Sequence, residues 1–424
     1  MIQGYRCASC GTEVPIAAAW PWRCPNSTEA DPFHVLFRTG RLAPMRPRDD
    51  PNPLLAFDAV CAWSAFAEAH GMGADDRAAL VGELDAAVAA IDGAGFHQTP
   101  LARSAELSDA LGFTREGGVW VKDETGNVTG SHKARHLVGI LLHLLASERL
   151  GVAPHGADDR PPLAISSCGN AALAAATLAA AVGWPLEVYV PTWANPAVVA
   201  RLEALGAAVV PCPRLATDPP GDPCVLRFRE AVAKGAVPFT VQGPENALCL
   251  DTGRTIGWEV IEGLGHFLDR VFVQVGGGAL ATCMALAAGD EGIHPRLHAV
   301  QSAGCAPLER AWRRSRELGP EAFRRWRDCM WPWEAEPTSA AEGILDDESY
   351  DWVGAVQGMA STGGGPIVAS EAQILEAHDL GRRLTGIDVS ATGTAGLAGL
   401  LNLHADGLLA HDERVVVLFT GRQR

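Results

Sequence analysis

Basic residues are scarce in this chain. Its 34 Lys and Arg face 50 Asp and Glu, for a formal net charge of −16. So acidic a balance repels phosphodiesters and anionic headgroups, which argues against nucleic acid and membrane surfaces as partners. Long hydrophobic runs are also missing. The longest apolar stretch, residues 171–182, is alanine-rich and falls short of the roughly 20 residues a membrane span needs. The opening Met1-Ile2-Gln3-Gly4-Tyr5-Arg6-Cys7 has no apolar signal core, so a cytoplasmic location is expected. There is no internal repeat and no low-complexity tract. The eleven cysteines are odd in number and scattered through a long chain. They read as buried thiols, metal ligands or site residues rather than a disulfide framework.

What is present is the composition of a soluble globular enzyme, with 48% apolar and 20% charged residues over 424 positions. Residues 1–50 are rich in Cys, Pro and Trp and have little periodicity. Residues 54–91 read as helical, with Trp63, Phe66, Leu80, Leu84, Val88 and Ile91 as core positions and Gly71-Met72-Gly73 as a break. From Thr99 onward short β-branched runs alternate with longer helical ones. Strands are expected at 119–122, 163–166, 186–190, 208–211, 239–241, 270–275, 296–301 and 415–419. Helices are expected at 132–148, 170–182, 196–205, 252–264 and 279–288, and a charged helical segment at 309–336. Such alternation predicts an α/β fold with a mostly parallel sheet and helices on both faces.

Four motifs stand at the carboxyl ends of these strands, where parallel sheets gather ligands. The first is Val128-Thr129-Gly130-Ser131-His132-Lys133-Ala134-Arg135. It places a lysine just past a tight turn, at the start of a helix. A lysine held out of water there favours its neutral, nucleophilic amine, the form that makes a Schiff base with an aldehyde. The second is Ser166-Ser167-Cys168-Gly169-Asn170, a strand–turn–helix junction whose amides face an anion. The third is Val275-Gly276-Gly277-Gly278-Ala279, whose amides can converge on one phosphate. Its spacing fits neither the dinucleotide fingerprint nor the Walker loop. The fourth is Thr420-Gly421-Arg422, after the apolar run Val415-Val416-Val417-Leu418-Phe419. A reactive lysine with a phosphate cradle and no nucleotide motif points to pyridoxal phosphate.

In order and wording these motifs resemble the fold-type II pyridoxal-phosphate-dependent enzymes of the tryptophan synthase β superfamily. The resemblance runs from about Thr99 to the C-terminus. The layout is threonine synthase-like, with loop features similar to serine/threonine dehydratases, and Thr252-Gly253-Arg254-Thr255-Ile256-Gly257-Trp258-Glu259 resembles a helix of threonine synthases and dehydratases alike. It implies two open α/β domains with the cofactor between them: a large cofactor-binding domain from 99–160 and 235–424, and a small mobile one from 161–234. Residues 1–98 would then be an N-terminal extension, ribbon-like over 1–50. By the same resemblance Lys133 carries the cofactor and moves the Cα proton. His132 contacts the phosphate or simply packs at the helix start. Asn170 bonds the ring hydroxyl, Gly276, Gly277, Gly278 and Ala279 bind the phosphate, and Thr420 faces the pyridine nitrogen. Ser167, Cys168 and Gly169 take the substrate. The implied partner is a small-molecule amino acid, and family members are dimers or tetramers, so a homo-dimer is one expected state.

Which reaction follows is left open by conflicting signals. A neutral hydroxyl at Thr420 weakens the ring as an electron sink, favouring elimination and replacement over transamination. The first expectation is replacement of the threonine synthase type. The alternatives are a serine/threonine ammonia-lyase, which Gly169-Asn170-Ala171-Ala172 resembles, and replacement with another nucleophile in a specialised pathway. A cofactor-binding or interaction protein without turnover is the rival from another class. Cys168 stands where the family has Ser or Thr, and a thiol is a poor donor. It either lines the amino-acid pocket or is an inert buried thiol. Finally, Cys7-x2-Cys10 with Cys24 resembles a degenerate zinc ribbon. Ser27 stands near the expected fourth cysteine, and His34 is the alternative fourth ligand. Either these residues hold zinc or the ribbon is vestigial.

Overall fold

The computed structural model describes residues 2–28, 31–40 and 47–424. Residues 41–46 of the expected ribbon-like segment lie outside the described residues. The chain forms two compact units. The first comprises Met1–His97, Asn127–Thr129 and Lys133–Gly253, and the second Gln98–Gly126, Gly130–His132 and Arg254–Arg424. The first unit thus holds the N-terminal segment and the helix Lys133–Arg149 together with the smaller sheet.

In the first unit a parallel four-stranded sheet runs in the order Ala208–Pro211, Leu186–Val190, Leu163–Ser166, Val237–Pro238. Its last strand is shorter than the expected 239–241 and precedes it, because only Val237 and Pro238 pair with Leu163 and Ala164. Helices Ala62–Ala69, Ala74–Asp92, Lys133–Arg149 and Asn170–Ala181 pack together. Trp63, Phe66, Leu80, Leu84 and Val88 are buried as the apolar spacing requires, while Ile91 is half-buried near a helix end. A small antiparallel sheet pairs Gly4–Cys7 with Glu13–Pro15 and Leu36–Thr39. Two charged contacts pin this N-terminal segment to the unit. Arg38 pairs with Asp251 at 2.8 Å, both nearly dry, and Glu245 takes Arg23 and, at 2.7 Å, Arg229.

The second unit is built on six strands in the order Gly365–Ala369, Arg296–Ser302, Arg270–Gln274, Arg414–Phe419, Gly118–Asp123, Leu101–Ser104. All neighbours are parallel except the last pair. Val271, Phe272, Val273 and the run from Val415 to Phe419 are buried on both faces, which is why they read as unbroken apolar stretches. The two edge strands carried weak signals: Gly365–Ala369 follows a glycine run and contains a proline, tolerated at an edge. Small residues let the helices close in. A side chain on Gly354 would strike Thr282, and one on Gly399 would strike Val300. The expected helix over 309–336 instead ends at Leu318, where Gly319-Pro320 breaks it into short turns. Among the described residues no helix is long and apolar enough to cross a membrane.

Three buried histidines are held neutral. Burial, with the Lys133 charge next, pulls His136 down to about 3. Burial pulls His143 down to about 4, and burial aided by Arg270 does the same for His298. Unfolded, each titrates near 6.5. Their contribution to stability is therefore complete above that pH and is lost as the pH falls from 6.5 toward 4. Thermal unfolding should show a Tm that declines over this window. In His143→Gln the decline should be shallower, by up to about 1.4 kcal/mol per pH unit. Parallel pH profiles for the two proteins would show that His143 is not a titrating contributor.

Candidate functional site

The approach to Lys133 is locally strained. Asp123 caps the turn after its strand, accepting from the Thr125 amide at 2.9 Å. Thr129 then adopts φ 59°, a left-handed conformation that costs a β-branched residue energy, and Gly130 follows at φ 68°. In the first unit the Thr129 amide donates to Asp92 at 2.8 Å, which helps hold it there. In the second unit Gly130–His132 is sewn to the exit of the final strand. The Arg422 amide donates to Gly130 O at 2.9 Å, Ser131 and Gly421 form an antiparallel bridge, and the His132 amide donates to Thr420 O at 3.0 Å. Gly130 has no alternative, since a Cβ there would run into the Arg422 side chain. The His132 ring also places Nδ1 3.1 Å from Thr420 O. A carbonyl only accepts, so Nδ1 carries the proton and Nε2 is the ring's acceptor.

Lys133 is the first residue of its helix and is half-buried. A count in the sequence singles it out: the lysines are Lys122, Lys133 and Lys234. Lys122 is fully buried and committed, its ammonium paired with Glu259 and donating to Thr99 O at 2.5 Å, with Glu124 at 3.9 Å. Lys234 is exposed at a helix end. Of the three, Lys133 is the one that opens a helix after a strained turn. In the same unit Ser167, Cys168, Gly169 and Asn170 lie half-buried between the strand Leu163–Ser166 and the helix Asn170–Ala181. Gly169 is the N-cap and offers no side chain to the helix's first amides, which leaves them for a ligand.

The glycine loop follows the strand Arg270–Gln274 in the second unit. Its carbonyls are fastened from behind: Val275 O by Gln301 Nε2 at 3.2 Å, Gly276 O by Ser349 Oγ at 2.8 Å, and Gly277 O by the Asp351 amide at 2.7 Å. A trans peptide points its N–H opposite its C=O, so the fastened carbonyls turn the loop amides to the other side. Gly278 sits at φ 97° and caps the helix Ala279–Asp290. A side chain at Gly276 would collide with the Asp346 carboxylate and come within 3.0 Å of Ile344 Cα. Glycine is therefore required at Gly276 for space and at Gly278 for conformation.

Thr420 is buried at the end of the final strand. Gln274 Nε2 lies 2.7 Å from Gly393 O, 3.1 Å from Leu418 O and 2.6 Å from Thr420 Oγ1. The nitrogen's two hydrogens are shared among these three oxygens, and Thr420 Oγ1 accepts from it, which leaves the hydroxyl its own hydrogen to donate. The sequence reading passed over Gln274, Gln301, Ser349 and Asp351. The two glutamines were detectable as polar residues ending apolar strands. Ser349 and Asp351 reach the loop only through the fold.

Cys7, Cys10, Cys24 and His34, read as metal ligands, do come together in the first unit. Their donor atoms all lie within 4.8 Å of one another. The glycine loop and Thr420 suit pyridoxal phosphate. A loop presenting amides to one side suits a phosphate, and a hydroxyl fixed as a donor suits an unprotonated ring nitrogen.

A family model described as "Pyridoxal-phosphate dependent enzyme" matches residues 94–421. The chain is similar to the threonine synthase of Mycobacterium tuberculosis (strain ATCC 25618 / H37Rv), 26% identical over 331 residues, covering 76% of this chain and 80% of that one. The threonine synthase of Methanocaldococcus jannaschii is 26% identical over 332 residues, covering 76% and 74%. Among solved structures, a threonine deaminase from T.th. aligns with a TM-score of 0.60 and 24% identity over 81% of this chain and 98% of that one. Diaminopropionate ammonia lyase from Escherichia coli aligns at 0.63 and 17% identity over 82% and 88%. With a family match running from before the lysine turn to the end of the last strand, on the mostly parallel fold-type II architecture, this chain belongs to the pyridoxal-phosphate-dependent enzymes.

Proposed function

We propose that this enzyme removes or replaces a leaving group on the β or γ carbon of an amino acid, in the manner of a threonine synthase. The observation that carries this reading is Thr420, a neutral hydroxyl kept as a donor by Gln274. When bound, pyridoxal phosphate supplies the electron-withdrawing ring that makes the Cα proton labile. Lys133 would hold the cofactor through its ε-amine and, when that amine is free, would accept the Cα proton. Thr420 would donate to the pyridine nitrogen without charging it, an arrangement that suits loss of a side-chain leaving group rather than transamination. Asn170 would bond the ring hydroxyl. The amides of Gly276, Gly277, Gly278 and Ala279 would take the phosphate, joined by His132 Nε2 when both ring nitrogens carry protons, and the loop of Ser167, Cys168 and Gly169 would take the substrate carboxylate.

The resemblance to threonine synthases supports replacement, yielding threonine and phosphate from O-phosphohomoserine and water. Ala171 and Ala172, directly after Asn170, support a second reading as a serine/threonine ammonia-lyase, since they bring no hydroxyl to the helix's first turn. Replacement by another nucleophile is a third. A cytoplasmic homo-oligomer belongs to the same proposal, resting on composition and on family habit.

Product analysis with a panel of amino acids separates these outcomes. Threonine and phosphate support the synthase, a keto acid and ammonia from Ser or Thr support the lyase, and no turnover of any amino acid defeats both. Lys133→Ala should lower kcat by at least about a thousandfold, as loss of a positioned proton carrier does. A cofactor-dependent reaction that survived it would contradict the mechanism. Gly276→Ala should weaken cofactor retention by roughly ten- to a hundredfold, the equivalent of about 1–3 kcal/mol of overpacking. Equilibrium dialysis with pyridoxal phosphate measures this, and unchanged retention would remove the loop from the cofactor site.

A further inference from the structure

We propose that Cys7, Cys10, Cys24 and His34 form a structural zinc site, with Asp31 as the carboxylate that orients the histidine. The four donors come from three separate stretches of chain. Cys7 ends the strand Gly4–Cys7 and Cys10 lies on the turn that follows. That turn is a tight knuckle: the Gly11 amide donates to Cys7 O at 2.9 Å and Gly11 adopts φ 78°. Cys24 enters from a turn in which the Ser27 amide donates back to Cys24 O at 2.9 Å. His34 enters from the run before the strand Leu36–Thr39.

The four donor atoms all lie within 4.8 Å of one another, close to the spacing of one tetrahedral ion's ligands. Cys7 Sγ lies 3.3 Å from His34 Nδ1, and Cys10 Sγ lies 3.5 Å from Cys24 Sγ. Metal–sulfur bonds of about 2.3 Å and metal–nitrogen bonds of about 2.0–2.1 Å set donor separations of roughly 3.5–3.8 Å. The same 3.5 Å is far beyond a disulfide, and all the cysteines are free. Three sulfurs and one imidazole in a tetrahedral arrangement select zinc over magnesium or calcium.

The fourth position is settled by what the neighbours do. Ser27, where a ribbon's fourth cysteine would stand, donates its hydroxyl to Pro32 O at 3.1 Å and is thereby engaged elsewhere. His34 is buried, and its far nitrogen, Nε2, lies 3.2 Å from Asp31 Oδ2. A carboxylate there keeps the proton on Nε2 and leaves the Nδ1 lone pair facing the thiols, as outer partners of metal-bound histidines do. The antiparallel sheet around these residues has three strands of only three or four residues each, the scale at which a metal supplies folding energy. Its strands also carry the chain to Arg23 and Arg38, which hold Glu245 and Asp251. The ion would thus stiffen the segment that anchors residues 242–253.

The test uses the full-length holoenzyme, purified without a metal-binding tag and dialysed against a chelator. Metal analysis should find about one zinc per chain. Exchange with cobalt alone should give the intense d–d bands of a tetrahedral ion and sulfur-to-cobalt charge transfer. Asp31→Asn, which leaves all four ligands in place, should weaken cobalt binding by about ten- to a hundredfold. His34→Ala should lose the tetrahedral spectrum, and Ser27→Ala should keep it. Pyridoxal-phosphate absorbance, read alongside, reports whether each variant is folded. Metal-free protein that gives no cobalt spectrum would overturn the proposal. So would a Cys10–Cys24 disulfide in protein kept reduced, or an unaltered spectrum in His34→Ala.

Discussion

Everything proposed for Lys133 depends on a main-chain seam. The three residues before it, Gly130–His132, are bonded to residues 420–422 at the exit of the final strand. That exit is itself held. The Ser390 amide and hydroxyl donate to Gly421 O at 3.0 and 3.1 Å, and Val389 bridges Arg422. Backbone-to-backbone bonds tolerate many side chains but little displacement. The backbone directly before the lysine is thereby held by a partner far away in sequence, with a left-handed threonine and a crowded glycine absorbing the turn. Thr420 serves twice here: its carbonyl takes the His132 amide and ring, and its hydroxyl accepts from Gln274.

The second unit's sheet is apolar with deliberate exceptions. Gln274 ends its strand and Gln301 is next to last in the neighbouring parallel one, and each fastens oxygens beside the expected cofactor residues. Lys122, on a third strand, is buried with Glu259, Glu124 and Thr99. Buried polar groups are costly unless each finds a partner, and satisfied networks hold one geometry. The glycine loop illustrates the result. Its flexibility in isolation is irrelevant, because three of its carbonyls are tied to Gln301, Ser349 and Asp351.

Much of this was legible in the sequence because parallel strands buried on both faces leave continuous apolar runs, and the site motifs sit at their ends. The run from Val415 to Phe419 and the glycine triplet needed no tertiary knowledge. The edge strands Leu101–Ser104 and Gly365–Ala369 did not announce themselves, since an edge is half-buried and admits Pro and Gly. The grouping of residues 1–97 with the smaller sheet was invisible, because the Arg38–Asp251 and Arg23–Glu245 pairs link positions more than 200 apart. The same holds for Ser349 and Asp351, whose relevance to the loop is purely spatial. The lysine count was available throughout, and it narrows the cofactor lysine to one of three.

That small number makes a direct measurement decisive. Borohydride reduction of the cofactor-loaded enzyme, followed by proteolysis and mass spectrometry, locates the pyridoxyl group on a single peptide. The account predicts that it lies on Lys133 alone. A pyridoxyl group on Lys122 or Lys234, or none on any lysine, would contradict it.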